Sequence, residues 1–112
     1  MYKLLNFILL VLALSSCKSD KQVPDNILPK DKMVLLIRDL HLVEAYINAN
    51  FTYSDSSKFL FKNLEDSIFK AHQTSPVAFD SSMAYYQRNI KDMDEIYAVV
   101  VDSLSLMEGT AK

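Results

Sequence analysis

The sequence predicts an all-α protein, a small four-helix domain behind an N-terminal tether. Two observations carry that prediction. Apolar residues recur at spacings of three and four in four successive segments, the period of one helical face. The one β-branched run, Val99-Val100-Val101, has no second alternating segment to pair with, so the flanking helical period decides for helix there. Half of the 112 residues are apolar, enough for one packed core.

The first block stands apart from that domain. Met1-Tyr2-Lys3 is a short start with one basic side chain, Leu4 to Leu14 is apolar except for Asn6, and Ser15-Ser16 are small. This is the pattern of a secretory signal. The apolar run is too short for a bilayer, which needs about 20 residues. Leu14-Ser15-Ser16 then precedes Cys17, the only cysteine in the chain. An aliphatic residue, two small residues and a cysteine resemble the bacterial lipobox. In proteins of that class the thiol receives a diacylglyceryl group and the chain is cut before it. Small side chains admit the segment to a peptidase, and a thiolate is the good nucleophile for alkylation. Fatty chains then bury methylenes at about 0.8 kcal/mol each, and more than one chain makes anchoring stable. The expectation is a lipidated Cys17, with membrane lipid as its first partner. A lone cysteine also excludes an internal disulfide and a multi-cysteine metal site.

Residues 1–16 read as the signal and 17–29 as the tether. Lys18 to Asn26 is polar, and its reach when extended is on the order of 30 Å. Ile27-Leu28 end the tether with apolar side chains expected to dock on the domain, and Pro29 suits a helix start. Residues 30–108 read as the helical domain and 109–112 as a tail. The first helix spans about Lys30 to Asn50, with Met33, Leu36, Ile37, Leu40, Val43 and Ile47 on one face. Leu35 and Leu42 lie on nearly the opposite face, which makes this helix two-sided and both residues candidates for contact with a partner. The second helix spans about Ser56 to His72 behind a Ser54 or Asp55 cap. Its expected stripe is Leu60, Phe61, Leu64, Ile68 and Ala71, with Phe59 and Phe69 off it. Thr74-Ser75-Pro76 reads as loop, cap and first helical residue. The third helix carries Phe79, Met83 and Tyr86 and reaches to about Ile90. Tyr85 sits a quarter turn from Tyr86, a core edge or interface position. The fourth helix starts near Lys91 with Asn89 as a possible cap, and carries Met93, Ile96, Tyr97, Val100, Leu104 and Met107. Gly109, the only glycine, stands where a helix terminator belongs.

Little here carries chemistry. A single glycine excludes a phosphate-cradling loop and a dinucleotide fingerprint, so no cofactor is expected. Loss of residues 1–16 removes one of 12 basic side chains, Lys3, and none of the 14 acidic ones, moving the balance from −2 to −3. That balance gives no footprint for nucleic acid. Asp92, Asp94 and Glu95 open a helix, where acids favour the positive dipole end. No metal site is expected from them. The suggestive stretch is Arg38 to Tyr46, RDLHLVEAY. His41 and Glu44 are three apart and project from neighbouring parts of one helix. Glu44 falls near the middle of the apolar stripe, where a carboxylate needs a partner. One reading makes the pair an acid/base couple or half of a metal site with His72, the other histidine. The favoured reading is structural: Glu44 accepts from Tyr85, Tyr86 or Tyr97, or pairs with Arg88.

At this point the residues resemble a family. The lipobox, PDNILPKDKMVLLIRDLHLVEA from Pro24 to Ala45, IFKAHQTSPVAFDSSMAYYQRN from Ile68 to Asn89, and MDEIY from Met93 to Tyr97 are similar to a set of small bacterial lipoproteins that share domain of unknown function 4296. The resemblance implies an envelope lipoprotein with a helical domain and no assigned activity. Such proteins often show glycine in the turn after the second helix, where this chain has Gln73.

The expected function is therefore a non-catalytic interaction domain, lipid-anchored in the cell envelope, that binds another envelope protein through Leu35, Leu42 or Tyr85. Lys18 directly after Cys17 resembles lipoproteins exported past the inner membrane, which points to the outer membrane of a two-membrane cell. A metal-binding or acid/base enzyme using His41 and Glu44, a helical chaperone of the periplasm, and a homodimer through the first helix are the alternatives.

Overall fold

The computed structural model describes residues 1–4 and 23–110. The Leu14–Cys17 motif and residues 18–22 of the tether lie outside the described residues. Behind the tether the chain folds into α1 (Lys30–Asn50), α2 (Asp55–Ala71), α3 (Pro76–Gln87) and α4 (Ile90–Thr110). There is no strand among the described residues, and Val99-Val100-Val101 is helical. The all-α expectation holds.

Each start is set by local chemistry. Pro29 is extended at φ −65°, ψ 157° and precedes α1. Its fixed φ suits the turn into a helix, and its missing N–H costs nothing there. Ser54 caps α2 reciprocally with Ser57. The Ser54 hydroxyl accepts from the Ser57 N–H at 3.2 Å, and the Ser57 hydroxyl accepts from the Ser54 N–H at 2.9 Å. Two donors without helical partners are thus satisfied by two serines. Ser75 accepts from the Ala78 N–H at 3.2 Å, with Pro76 in the first turn of α3.

The end of α2 is a Schellman turn. The Thr74 N–H reaches the Phe69 carbonyl at 2.9 Å and the Gln73 N–H reaches the Lys70 carbonyl at 3.0 Å. That closure requires a left-handed residue, and Gln73 supplies it at φ 54°. Glycine is the residue that adopts this conformation without cost, and this chain accepts the Cβ strain instead.

α1 is the central element. It packs against α2 on one side and α4 on the other, and α3 packs on α4. The core cluster joins Met33 and Ile37 of α1, Tyr86 of α3, and Ile96 and Val100 of α4. α1 and α4 run in the same direction. Lys30 meets Asp92 and Glu95 at their starts, and Met33 and Ile37 meet Ile96 and Val100 a turn or two later. α2 closes the bundle through Phe69, whose ring lies 5.5 Å from that of Phe79 on α3.

Three sequence expectations change. Phe69, expected off the stripe, is buried, and Ala71 is exposed. The reason is that α2 must reach α3 as well as α1, so its last turn faces Phe79. Gly109 does not stop α4, which continues to Thr110 with no left-handed glycine among the described residues. A glycine ends a helix only when the chain turns there. α3 ends at Gln87, short of Ile90, because Asn89 N–H bonds back to the Tyr86 carbonyl at 3.0 Å and α4 begins at Ile90.

Val100→Asp should destabilise the domain by more than about 3 kcal/mol, since it buries an unpaired charge. A urea or thermal melt followed by circular dichroism reads this directly. Gln73→Gly should raise stability by up to about 1 kcal/mol by relieving the left-handed strain, visible as a higher midpoint in the same melt.

Candidate functional site

The tether's last residues are built into the core. Ile27 and Leu28 pack against the central cluster. The Leu28 N–H donates to the Ser82 hydroxyl at 2.9 Å, and that hydroxyl donates onward to the Ala78 carbonyl at 2.7 Å. The Leu28 carbonyl accepts from the Tyr86 hydroxyl at 2.7 Å. Both polar groups of one strap residue are therefore held by two side chains of α3. Ser82 and Tyr86 are each 0 % exposed. A helix has no backbone donors to spare for a neighbouring strand, so an extended segment docks on it only through side chains. Burial raises the Tyr86 phenol above its ordinary value, and the neighbouring Tyr85, edge-on at 5.2 Å, pushes the same way.

Lys30 fastens the next turn. Its ammonium lies 2.6 Å from Asp92 and 2.6 Å from Glu95 at the start of α4. The hydrogen bonds that Lys30 donates to Asp92, and then to Glu95, hold its pKa above its ordinary value. Asn89 donates its amide to Asp92 at 2.7 Å, which orients the carboxylate. The acids that open α4 thus complete an ion cluster as well as serving the helix dipole.

Beside this cluster lies an apolar groove of about 470 Å³ between α1 and α4. Val34, Leu35, Ile96 and Val99 line it, with Lys30, Asp31 and Glu95 at its mouth. Leu35 is 40 % exposed and Val99 53 %. Leu42, at 37 % exposed, continues the Leu35 stripe one heptad on. Two of the candidate contact residues, Leu35 and Leu42, thus lie open on one helix. Tyr85 is half-buried and packs on the core, so it is the least available of the three. Phe59 is well exposed on α2, and Phe69 is consumed by the core.

His41 and Glu44 sit elsewhere and differ from expectation. Glu44 is 60 % exposed, and no tyrosine hydroxyl or Arg88 bonds it. Its neighbour is the His41 ring at 3.7 Å. The carboxylate escapes burial because it lines two adjoining clefts, one with Leu40, Phe79 and Tyr97 and one with Ile47, Tyr53 and Phe61. It stands at the seam where α2 leaves α1 uncovered. His72, the third member of a conceivable site, is engaged by Asp39 at 2.8 Å, and Arg38 grips that same carboxylate at 2.9 Å. The histidines are divided between two clusters. No group of three His, Cys, Asp or Glu gathers to hold a metal among the described residues.

Sequence reasoning placed Tyr86 in the core but missed what it holds, and it took Ser82 only as part of the family-like run from Phe79 to Tyr86, with no role of its own. The signal was present: Ser82 lies on the buried stripe of α3 between Phe79 and Tyr86. A hydroxyl on an apolar stripe requires a partner, and the strap backbone is that partner.

These features define an all-α domain of four helices whose N-terminal strap is part of its core. Residues 24–108 match the family described as Domain of unknown function (DUF4296), and the chain belongs to that family. The match begins at Pro24 and so takes in the strap as well as the helices. No curated protein and no solved structure matches the chain.

Tyr86→Phe should cost about 1–3 kcal/mol, because it leaves the Leu28 carbonyl without its donor. The raised phenol also gives a pH signature. The folded state holds the Tyr86 proton more tightly than the unfolded state, whose tyrosine titrates near 10.0. The stabilisation is therefore complete below about pH 10 and falls as pH rises through the folded value. Lys30 contributes loss in the same direction above its ordinary 10.5. Urea melts between pH 8 and 11 should show wild type losing stability more steeply than Tyr86→Phe, which lacks the tyrosine share.

Proposed function

We propose that this chain is a bacterial envelope lipoprotein, fastened to a membrane by acyl chains on Cys17, whose helical domain docks another envelope protein and catalyses nothing. The sequence Leu14-Ser15-Ser16-Cys17 supports the anchor. Among the described residues no helix is long and apolar enough to cross a membrane. The Lys18 side chain following Cys17 supports an outer-membrane destination. The observation that carries the docking reading is the groove between α1 and α4. Its Leu35 and Val99 side chains are held open to solvent by a scaffold whose other large apolar groups at that level, Met33 and Ile96, are buried.

The acid/base or metal reading of His41 and Glu44 has less behind it. The pair lies open at the surface, and His72 is committed to Asp39.

Two measurements test the proposal. Cells fed radiolabelled palmitate should label the wild-type chain and leave Cys17→Ala unlabelled. Equal absence of label in both would remove the anchor. A photo-crosslinking amino acid at position 35 should capture a discrete envelope protein, while the same probe at position 59 on α2 should not. Identical patterns from both positions would count against docking at the groove.

A further inference from the structure

We propose that the cleft where all four helices meet binds a small organic cation, its ammonium met by Glu44 and Glu65 and its apolar body lying in the adjoining cleft against Phe61 and Tyr53. This site lies apart from the α1/α4 groove and does not rest on the docking reading.

The walls come first. α1 contributes Ile37 and Leu40, α2 Phe61, α3 Phe79 and Met83, and α4 Tyr97. The recess they form is about 160 Å³. It adjoins a second cleft of about 350 Å³, which shares Glu44 and Phe61 with it and adds Ile47 and Tyr53. Apolar and aromatic walls drawn from separate helices, with a few polar groups converging on them, are the ordinary form of a small-molecule site in a helical bundle. The smaller recess suits a compact headgroup, and the larger one a body of a few carbons or a single ring.

Charge then selects the occupant. The ionisable groups on the smaller cleft are His41, Glu44, Glu65 and Tyr97, and no lysine or arginine lines it. Glu44 carries no hydrogen bond among the described residues, and its neighbour is the His41 ring, 3.7 Å away. Glu65 is half-buried, and nothing bonds it among the described residues. The basic side chains next to these turns are engaged elsewhere. Lys62 meets Asp66 at 3.6 Å, and Arg38 meets Asp39 at 2.9 Å. Lys32, Lys70, Arg88 and Lys91 each stand more than a helical turn along the chain from the nearest lining residue. Two carboxylates therefore line a recess walled by the rings of Phe61, Phe79 and Tyr97. An ammonium satisfies both features, through Coulomb attraction to the acids and through the negative faces of the rings. A metal ion fits poorly, because no group of three His, Cys, Asp or Glu gathers to hold one among the described residues. Lys58 limits the far end. It lines the second cleft with its ammonium 4.7 Å from the centre of the Tyr53 ring. A second cation on the ligand would meet Lys58 there, so the ligand carries one charge and an apolar end.

The test uses the full chain in detergent, with isotope-labelled methionine methyls read by NMR. The Met83 methyl lines the cleft and reports binding, and the Met33 methyl, buried in the core, is the reference. Three probes of similar shape are titrated: phenethylamine, phenethyl alcohol and phenylpropionate. The amine should shift Met83 and saturate in the millimolar range. It should bind at least about tenfold more tightly than the alcohol or the carboxylate. Its affinity should fall with added salt. Glu44→Gln and Glu65→Gln should each weaken the amine several-fold while circular dichroism shows an unchanged fold. Glu108→Gln, at an exposed position late in α4, should leave binding as it is. Equal binding of amine and alcohol would overturn the cation. Amine binding that survives both Glu44→Gln and Glu65→Gln would overturn the two carboxylates as its seat. A Met33 shift as large as that of Met83 would overturn the cleft as the place of binding. Tighter binding of phenylpropionate, or a Met83 methyl that no probe moves at about 20 mM, would overturn the proposal as a whole.

Discussion

Everything in this domain is arranged around one residue's backbone. Leu28 lies outside any helix, is followed by Pro29, and leads from its bonds on α3 into the first turn of α1. Its N–H and carbonyl cannot reach a helical ladder, and leaving them buried and unpaired would cost more than the packing of its side chain returns. Ser82 and Tyr86 resolve that conflict, one accepting and one donating. Both come from the same face of α3, one turn apart, so their spacing matches the two polar groups of a single extended residue. The strap in turn delivers Pro29 and Lys30 to the start of α1, where the ammonium draws the start of α4 alongside. The register of α1 on α4, and with it the shape of the groove, follows from that placement.

For a tethered domain this arrangement has a mechanical meaning. On the proposed reading, the chain between Cys17 and Ile27 is the link to a membrane. Tension on that link arrives at the strap, and the strap is bonded to α3 before it continues into α1. The load is therefore shared between two helices that also meet in the core cluster, and α1 cannot be peeled off alone. On the same reading, a change of length before Pro24 would alter the standoff from the membrane and leave the Pro24–Ile27 turn and the bonds at Leu28 in place.

Much of the fold was legible in the sequence, and the exceptions share a cause. The four helices, the serine caps at Ser54 and Ser75, and the buried stripe through Met33, Ile37, Ile96 and Val100 follow from local spacing and capping chemistry. What spacing could not show was which neighbour each face meets. Phe69 is buried because α3 folds back against the last turn of α2, a long-range fact. Glu44 sits mid-stripe by period yet is exposed, because two helices flank α1 there and leave a seam. His72 finds Asp39 for the same reason, across two helices. Gln73 is a local case: its left-handed φ arises from the closure of one turn, and a glutamine gives no sign of that conformation in the sequence. Of the candidate contact residues, Leu35 and Leu42 were legible because a heptad on the wrong face of a helix is visible in one dimension. The stripe position of Ser82 showed that its hydroxyl needed a partner, and which partner was hidden, because it is a strap residue 54 positions earlier in the chain.

Amide hydrogen exchange at Leu28 tests the central claim most directly. If the strap is part of the core, the Leu28 N–H exchanges only when the whole domain opens. Its protection should then equal that of the Ile96 and Val100 amides and drop together with theirs as urea is added. If Leu28 exchanges as fast as a solvent-open amide while Ile96 and Val100 stay protected, the strap is not held by Ser82 and Tyr86, and the account built on it is wrong.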